Sequence, residues 1–238
     1  MATDANDTEG RRAGLFVHGQ QWRARSHERP CDKGTAREVS PNHGIALTNM
    51  PQNCKLCIFN AVSFDRQPLL RGDLLELRPL RVDDFDALFS VAADPLIWEQ
   101  HPERDRYQEP TFRAFFAEAL ASGGALVAVD RSTGHIIGSS RYHGYDAERS
   151  VVEIGWTFLA RAYWGGRYNG EMKRLMLAHA FQSVQRVIFI IGPDNGRSRR
   201  AVEKIGATFA GTTKDARGRE RVVYELTPAL YGAHRLRK

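Results

Sequence analysis

Cysteine is scarce in this chain, with only Cys31, Cys54 and Cys57 among 238 residues. So few thiols, odd in number, cannot form the disulfide framework that stabilises small secreted domains. No apolar run is long enough to span a bilayer, and the first residues lack the apolar centre of a signal peptide. These absences predict a cytoplasmic protein with reduced thiols and no membrane segment.

Charge of one sign is in moderate excess. The net charge is +6 and the isoelectric point is near 9.4, which suits a phosphate-bearing cofactor, a nucleic acid or an acidic surface without choosing among them. Basic residues occur at both ends of the chain, in RRAG and AHRLRK, but no nucleic-acid recognition motif accompanies them. We therefore expect no specific nucleic-acid partner.

Residues 1–72 show no sustained hydrophobic period and contain several turn signals, such as SPNHG. We expect a poorly ordered extension with at most a short strand near 54–64. Cys54 and Cys57 have the spacing of half a zinc site, but only Cys31 and His43 lie nearby as further ligands. An incidental CxxC is the preferred interpretation, and no metal site is predicted.

From residue 73 onwards the hydrophobic pattern is regular and predicts one domain, 73–238, of the α/β (α+β) class. Its predicted element order is β-α-α-β-β-β-α-β-α-β-β. Strands are expected at 74–80, twice within 125–144, and at 150–160, 186–192, 207–213 and 219–227; helices are expected after Asp83 or Asp84, at 111–124 after an N-cap at Thr111, at 168–184, and after Asp194 or Asn195.

The strand at 150–160 alternates in polarity, which predicts two distinct faces. One face would carry Val152, Ile154, Trp156 and Phe158, and the other would carry Glu153, Gly155 and Thr157.

A glycine-rich turn follows this strand and leads directly into the next helix. The first turn of a helix has backbone N–H groups without partners and a partial positive charge, and glycines allow an anion to approach closely. The turn therefore predicts an anion site, although a tight turn without a ligand has the same pattern; GxxxxGK[ST] and GxGxxG are both absent. The residues of this turn are Gly165, Gly166, Arg167, Tyr168, Asn169 and Gly170.

Three ordered motifs carry a resemblance to a known family. They read EIGW at 153–156, GGRY at 165–168, and NGRS followed by EKIGA within 195–207. In this order and spacing they resemble the GNAT superfamily of acyl-CoA-dependent N-acyltransferases, and within it the branch that includes ribosomal-protein N-terminal acetyltransferases. The resemblance covers 73–228. Arg167 and Ala162 depart from the pattern, but arginine still donates its backbone N–H, so we expect CoA to bind.

The resemblance implies a GNAT fold, with a central mixed, mostly antiparallel sheet flanked by helices. The fourth and fifth predicted strands, 150–160 and 186–192, would splay apart and hold the pantetheine arm of acetyl-CoA. The pyrophosphate would lie on residues 165–170, and no metal is implied. Backbone contacts to pantetheine are expected from Trp156, Thr157, Phe158 and Leu159, with a further contact from Asn195.

A basic run, 197–204, follows Asn195 on the next helix. By the same resemblance, Arg197, Arg199, Arg200 and Lys204 would meet the 3′-phosphate of CoA. A solvated basic face is the alternative interpretation.

The resemblance also implies direct attack of an amine on the thioester, without a covalent enzyme intermediate. Glu153 is the candidate base, unless it is a surface carboxylate paired with an arginine such as Arg141. Ser198 is the candidate proton donor to the leaving thiolate, unless it only bonds the helix backbone. His143 is an alternative base.

The expected function is acetyl transfer from acetyl-CoA to a primary amine, on a small molecule or a peptide N-terminus, by a monomer or homodimer. The alternative is a CoA-binding or degenerate module that acts as a regulatory or interaction domain. Arg167 and the lack of a tyrosine between 195 and 210 favour this alternative, whereas the presence of Glu153 and Ser198 favours the enzyme.

Overall fold

The computed structural model describes residues 64–235. The predictions for residues 1–63, including the strand near 54–64 and the half zinc site, lie outside the described residues apart from Phe64. Phe64 itself is 4% exposed and belongs to the hydrophobic core. The core of the described part thus includes a residue that precedes position 73.

The described part of the chain forms eight strands and five α-helices. The strands are β1 (Leu70–Arg71), β2 (Leu75–Pro79), β3 (Ala125–Asp130), β4 (Ile136–Asp146), β5 (Val151–Leu159), β6 (Arg186–Ile191), β7 (Thr208–Lys214) and β8 (Glu220–Leu226). The helices are α1 (Phe85–Ala92), α2 (Glu109–Ala121), α3 (Arg167–Ala180), α4 (Gly196–Glu203) and α5 (Pro228–Arg235).

All eight strands form one sheet in the order β1-β2-β3-β4-β5-β6-β8-β7. Every neighbouring pair is antiparallel except β5 and β6, which are parallel and are joined by α3. The mixed, mostly antiparallel sheet expected from the resemblance is therefore confirmed.

Two hydrophobic cores cover the two faces of this sheet. Along β3, Leu126 and Ala128 belong to the core that includes α3, whereas Ala125 and Val127 belong to the core that includes α1 and α2. Successive side chains of a strand point to opposite faces, so α3 lies on one face and the α1–α2 pair on the other. We call these the α3 face and the α1–α2 face.

Several predicted boundaries were wrong. Helix α2 begins at Glu109 rather than after Thr111, because Pro110 at its start fits the first helical turn. Helix α3 ends at Ala180, four residues before the predicted end. The short strand β1 and the last helix α5 were not predicted, since neither is long enough to show a clear hydrophobic period.

The predicted faces of β5 were also wrong beyond Gly155. Trp156 has a φ of 52°, and the pairing with β4 shifts so that β5 carries one extra residue between Gly155 and Phe158. This β-bulge reverses the alternation, because one added residue turns all later side chains to the other face. Ile154 accordingly lies in the α3-face core, whereas Phe158 lies in the α1–α2-face core.

Candidate active site

The centre of the sheet is open between β5 and β6. Their pairing covers only Val151 with Arg186, Val152 with Val187 and Glu153 with Ile188. Beyond these three pairs the two strands separate, which confirms the splay expected for the fourth and fifth predicted strands. The backbone of Trp156, Thr157, Phe158 and Leu159 follows on β5, after the point where the pairing ends.

The bulge at Trp156 lies where the strands have parted. A positive φ is unfavourable for a side chain of this size and costs on the order of 1–3 kcal/mol, so it persists only where the surrounding structure imposes it. Strained backbone of this kind is frequent at functional sites, and here it marks β5 at the opening of the gap.

The glycine turn connects this gap to the start of α3. Gly165 and Gly166 have φ values of 103° and 115°, a conformation that other residues rarely adopt, and Gly166 is the N-cap of α3. A Cβ added at Gly165, Gly166 or Gly170 would meet no atom within 4 Å. The glycines are thus required by backbone conformation, and the space in front of the helix is open. Arg167 is exposed, and Tyr168 and Asn169 are half-buried in the first turn.

Helix α4 approaches the same turn through Arg197. Its guanidinium stacks on Trp164 at 4.1 Å from the ring centroid and donates a 2.6 Å hydrogen bond to the Ile97 carbonyl. Arg200 and Lys204 are exposed, and the Arg200 guanidinium lies against Gly196. Arg197 is therefore the basic residue of α4 that the fold brings next to the glycine turn.

Asn195 is the N-cap of α4, as predicted. Its Oδ1 accepts a 3.0 Å hydrogen bond from the backbone N–H of Ser198, and the side chain is 7% exposed. The Ser198 hydroxyl makes no hydrogen bond to any residue between 64 and 235 for which the structure defines a side chain.

Gly192 and Asn195 line a cleft of about 350 Å³ at the end of β6, together with residues 100–102, 104 and 219–221.

Glu153 is buried on the α1–α2 face, with 8% of its surface exposed. Burial raises the pKa of this carboxyl to about 7, although the positive charge of Arg141 opposes the shift. No ion pair joins the two side chains, so the alternative interpretation of Glu153 as an arginine-paired surface carboxylate was wrong on both counts. His143 is exposed, and its ring contacts Trp156 at 4.9 Å between centroids.

Lys173 is a functional candidate that the sequence reasoning missed. Its Nζ donates a 2.7 Å hydrogen bond to Thr157 Oγ1, which lies 2.7 Å from Ser140 Oγ. Only 5% of Lys173 is exposed, and Nζ lies 5.7 Å from the centroid of the Phe189 ring on β6. Lys173 thus bridges the two splayed strands on the α3 face. The sequence offered one signal for its burial: Lys173 lies between Met172 and Met176, which are on the inward side of the helix.

The described residues include neither a metal-holding cluster nor a membrane-spanning helix. No group of three or more His, Cys, Asp or Glu side chains among them is arranged to hold a metal ion. None of the helices in this part of the chain has the length and apolar character needed to cross a membrane.

Comparison with known proteins identifies the class to which this architecture belongs. A family model described as an acetyltransferase (GNAT) domain matches residues 75–208. No curated protein matches the chain at a significant level. Since the matched residues make up more than half of the sequence, the chain belongs to the GNAT acetyltransferase family.

Solved structures agree with this assignment at the level of the fold. A GCN5-related N-acetyltransferase from Brucella melitensis is 21% identical, with a TM-score of 0.62, over 71% of this chain and 85% of that one. A GNAT-family acetyltransferase from Bacillus anthracis is 21% identical, with a TM-score of 0.57, over 67% of this chain and 98% of that one. Mycobacterium smegmatis RimJ, solved in complex with CoA-disulfide, is 18% identical, with a TM-score of 0.52, over 65% of this chain and 82% of that one.

Proposed function

We propose that the protein is a cytoplasmic N-acetyltransferase that transfers an acetyl group from acetyl-CoA to a primary amine. One observation carries the proposal. The strand β5, which borders the gap, is followed along the chain by the glycine turn at the N-terminus of α3. A long, extended ligand with an anionic group at one end fits this arrangement, because strand edges can bond an extended chain and a helix N-terminus can bind a phosphate.

The residues around the gap suit CoA in chemical type. The backbone of residues 156–159 would bond the amides of pantetheine, and residues 165–170 would hold the pyrophosphate. Asn195 would contact pantetheine from the start of α4. Arg200 and Lys204 would meet the 3′-phosphate, and so would Arg197, which stacks on Trp164 beside the turn. The complex of RimJ with CoA-disulfide supports a CoA site in this fold.

Acetyl transfer by direct attack requires a neutral amine. The amine nitrogen forms a bond to the thioester carbonyl carbon, the carbon–sulfur bond breaks, and the nitrogen loses one proton. Glu153 would accept this proton, since a base is most effective when its pKa lies near the working pH, and burial raises the pKa of Glu153 to about 7.

The leaving thiolate must gain a proton. Ser198 would deliver it from solvent, because its hydroxyl lies in the first turn of α4 and the helix backbone bond is made by its N–H rather than by its side chain. Ser198→Ala should then lower kcat while the affinity for acetyl-CoA stays the same. Asn195→Ala serves as the comparison that weakens the helix cap itself, at a cost of about 1 kcal/mol.

The proposed function is tested by calorimetric titration of the full chain with acetyl-CoA and with dephospho-CoA, followed by a thiol-release assay with small amines and peptide N-termini. We expect saturable binding of acetyl-CoA, weaker binding of dephospho-CoA, and amine-dependent thiol release. Binding without thiol release for any amine would favour a CoA-binding regulatory module. Absence of binding by folded protein would refute the CoA site.

A further inference from the structure

Arg141 is a buried cation with two donor atoms that have no partner within the fold. It lies on β4 and is 4% exposed. Its Nε and Nη2 are fully buried, and neither has a hydrogen-bond partner among the side chains and backbone that the structure describes. Leaving a buried charged donor without a partner costs several kcal/mol, so an arginine in this state indicates a missing anionic partner.

A second arginine lies close to the first. Arg106, from the 3₁₀ turn before α2, is half-buried and contacts His101 Nε2 at 3.2 Å through Nη1. Burial lowers the pKa values of Arg106 and Arg141 to about 10, and the positive charge of Arg141 further lowers the pKa of Arg106. Within residues 64–235, neither arginine takes part in an ion pair.

Both guanidinium groups contact the ring of Phe115. The Cζ atoms of Arg106 and Arg141 lie 4.5 and 5.6 Å from the centroid of Phe115. Trp156 contacts Arg141 at 4.7 Å, and Trp98 contacts Arg106 at 5.6 Å. Cation–π contacts offset part of the cost of burial, but a ring face accepts no in-plane hydrogen bond, so Nε and Nη2 of Arg141 stay without acceptors.

The arginine pair lies beside the candidate base. On β4 and β5, Arg141 is opposite Gly155 and His143 is opposite Glu153, so Arg141 and Glu153 are diagonal neighbours on one face. Gly155 has no side chain, and Glu153 Oε1 lies 3.0 Å from the position that a Cβ there would take. The carboxyl group thus turns towards Arg141 without forming an ion pair with it.

We propose that Arg141 and Arg106 form a carboxylate-binding site next to Glu153, and that the acceptor is a small amine that also carries a carboxylate, such as an amino acid. A planar guanidinium binds a carboxylate through paired hydrogen bonds, and two of them complement one negative charge in a desolvated site. The amine of the same molecule then reaches Glu153, a neighbour of Arg141.

This inference rests on the proposed acetyl transfer, so its test must separate the two. The thiol-release assay uses acetyl-CoA with matched acceptor pairs, each an α-, β- or γ-amino acid and its primary amide. We expect kcat/KM at least tenfold higher for the carboxylates in the wild-type protein. Arg141→Met should remove that preference mainly through KM, and Arg141→Lys should restore part of it. Arg113→Met is the matched control, since Arg113 stacks on Phe85 at 4.2 Å but is exposed, and it should keep the preference.

A second measurement does not depend on turnover. N-acetyl amino acids and their amides are titrated calorimetrically into the protein saturated with CoA, for the wild type and the same variants. Tighter binding of the carboxylates, lost in Arg141→Met, supports the site. Equal binding of acids and amides, or a preference that survives in Arg141→Met, would overturn the inference even if acetyl-CoA binds and amines are acetylated. Thermal unfolding checks the variant, and we expect a higher Tm because Met replaces an uncompensated buried charge.

Discussion

Lys173 and Thr157 join α3 to β5 directly beneath the gap in the sheet: the buried Nζ donates a 2.7 Å hydrogen bond to Oγ1. No carboxylate forms an ion pair with Lys173 in the described part of the chain, which is unusual for a lysine that is 5% exposed. The bond fixes the side chain that follows the Trp156 bulge, so the position of β5 after the bulge depends on an amine held in an apolar environment.

Lys173→Met should therefore change how stability depends on pH. Burial lowers the pKa of Lys173 to about 7, whereas a lysine in the unfolded chain titrates near pH ~10.4. Between these values the unfolded state binds more protons, so the free energy of unfolding rises with pH in the wild type. Relative to Lys173→Met, the wild type should gain roughly 3 kcal/mol between pH ~7 and ~9.5, measured by urea unfolding at both pH values.

The control for this experiment is Lys214→Met, at an exposed position on β7. It should follow the wild type at both pH values. If the difference in free energy of unfolding between the wild type and Lys173→Met does not change with pH, Lys173 has the same charge in the folded and unfolded states.

Glu153→Gln tests the base. Because burial raises the pKa of Glu153 to about 7, kcat/KM of the wild type should increase as the pH rises through 7, where the carboxyl loses its proton. The variant cannot accept a proton, so its rate should fall by about 10²–10⁴-fold and that increase should disappear. Steady-state rates from pH 5.5 to 9 measure both effects, and a variant that keeps the wild-type profile would exclude Glu153 as the base.

The same variant has a stability signature. The pKa of Glu153 is higher in the folded state than in the unfolded state, so the folded state binds more protons between pH ~4.3 and ~7. The free energy of unfolding of the wild type therefore falls as the pH rises through this range, because an ionised carboxyl is then buried. Glu153→Gln should thus be more stable than the wild type at pH 8 and lose this advantage at pH 4.5. Urea unfolding at the two pH values tests this independently of any acceptor.

Gly165→Asp tests the glycine turn. A carboxylate at this position would repel the pyrophosphate, and the φ of 103° would strain any side chain. We expect the Kd for acetyl-CoA to rise by well over tenfold in calorimetry. Gly165→Ala separates strain from charge and should have a smaller effect.

Gly211→Ala is a comparison for strain alone, since Gly211 on β7 has a φ of 133° and no atom within 4 Å of an added Cβ. It should leave acetyl-CoA affinity unchanged. If Gly165→Asp also left the affinity unchanged, the pyrophosphate would have to bind elsewhere.

Phe64→Ala tests whether Phe64 contributes to the hydrophobic core. Phe64 packs on Tyr142 at 5.0 Å and on Tyr145 at 5.2 Å between ring centroids. Loss of this buried ring should lower the free energy of unfolding by about 3–5 kcal/mol. Phe209→Ala, at a residue that is 60% exposed, should cost far less. Equal effects would show that Phe64 does not belong to the core.

Much of the fold was readable from the sequence because local signals were strong. The alternation of β2 and of β5 up to Gly155, the turn between β3 and β4, and the Asn195 cap all depend on neighbours along the chain. Helix α2 shows the limit of local reasoning: Thr111 resembles a cap, but Pro110 can start a helix one turn earlier.

The site was harder to predict because its residues are distant in sequence and come close only in the folded structure. Glycines predicted the turn before α3, but the bulge at Trp156 involves a bulky residue with positive φ, which no local rule favours. Arg106 and Arg141 are 35 positions apart along the chain and share only their contact with the ring of Phe115, so no spacing pattern could indicate them.

The three-pair contact between β5 and β6 has a consequence for solvent exchange. Beyond Glu153 and Ile188, two strand edges face each other inside the sheet. Strand edges at the rim of a sheet invite association with other chains. On one face α3 covers these edges, and its Lys173 contacts Thr157 of β5 and Phe189 of β6. Amides of β5 that point into the gap should therefore exchange quickly with deuterium in the free protein and slowly once the gap is filled, so each becomes a local reporter of occupancy.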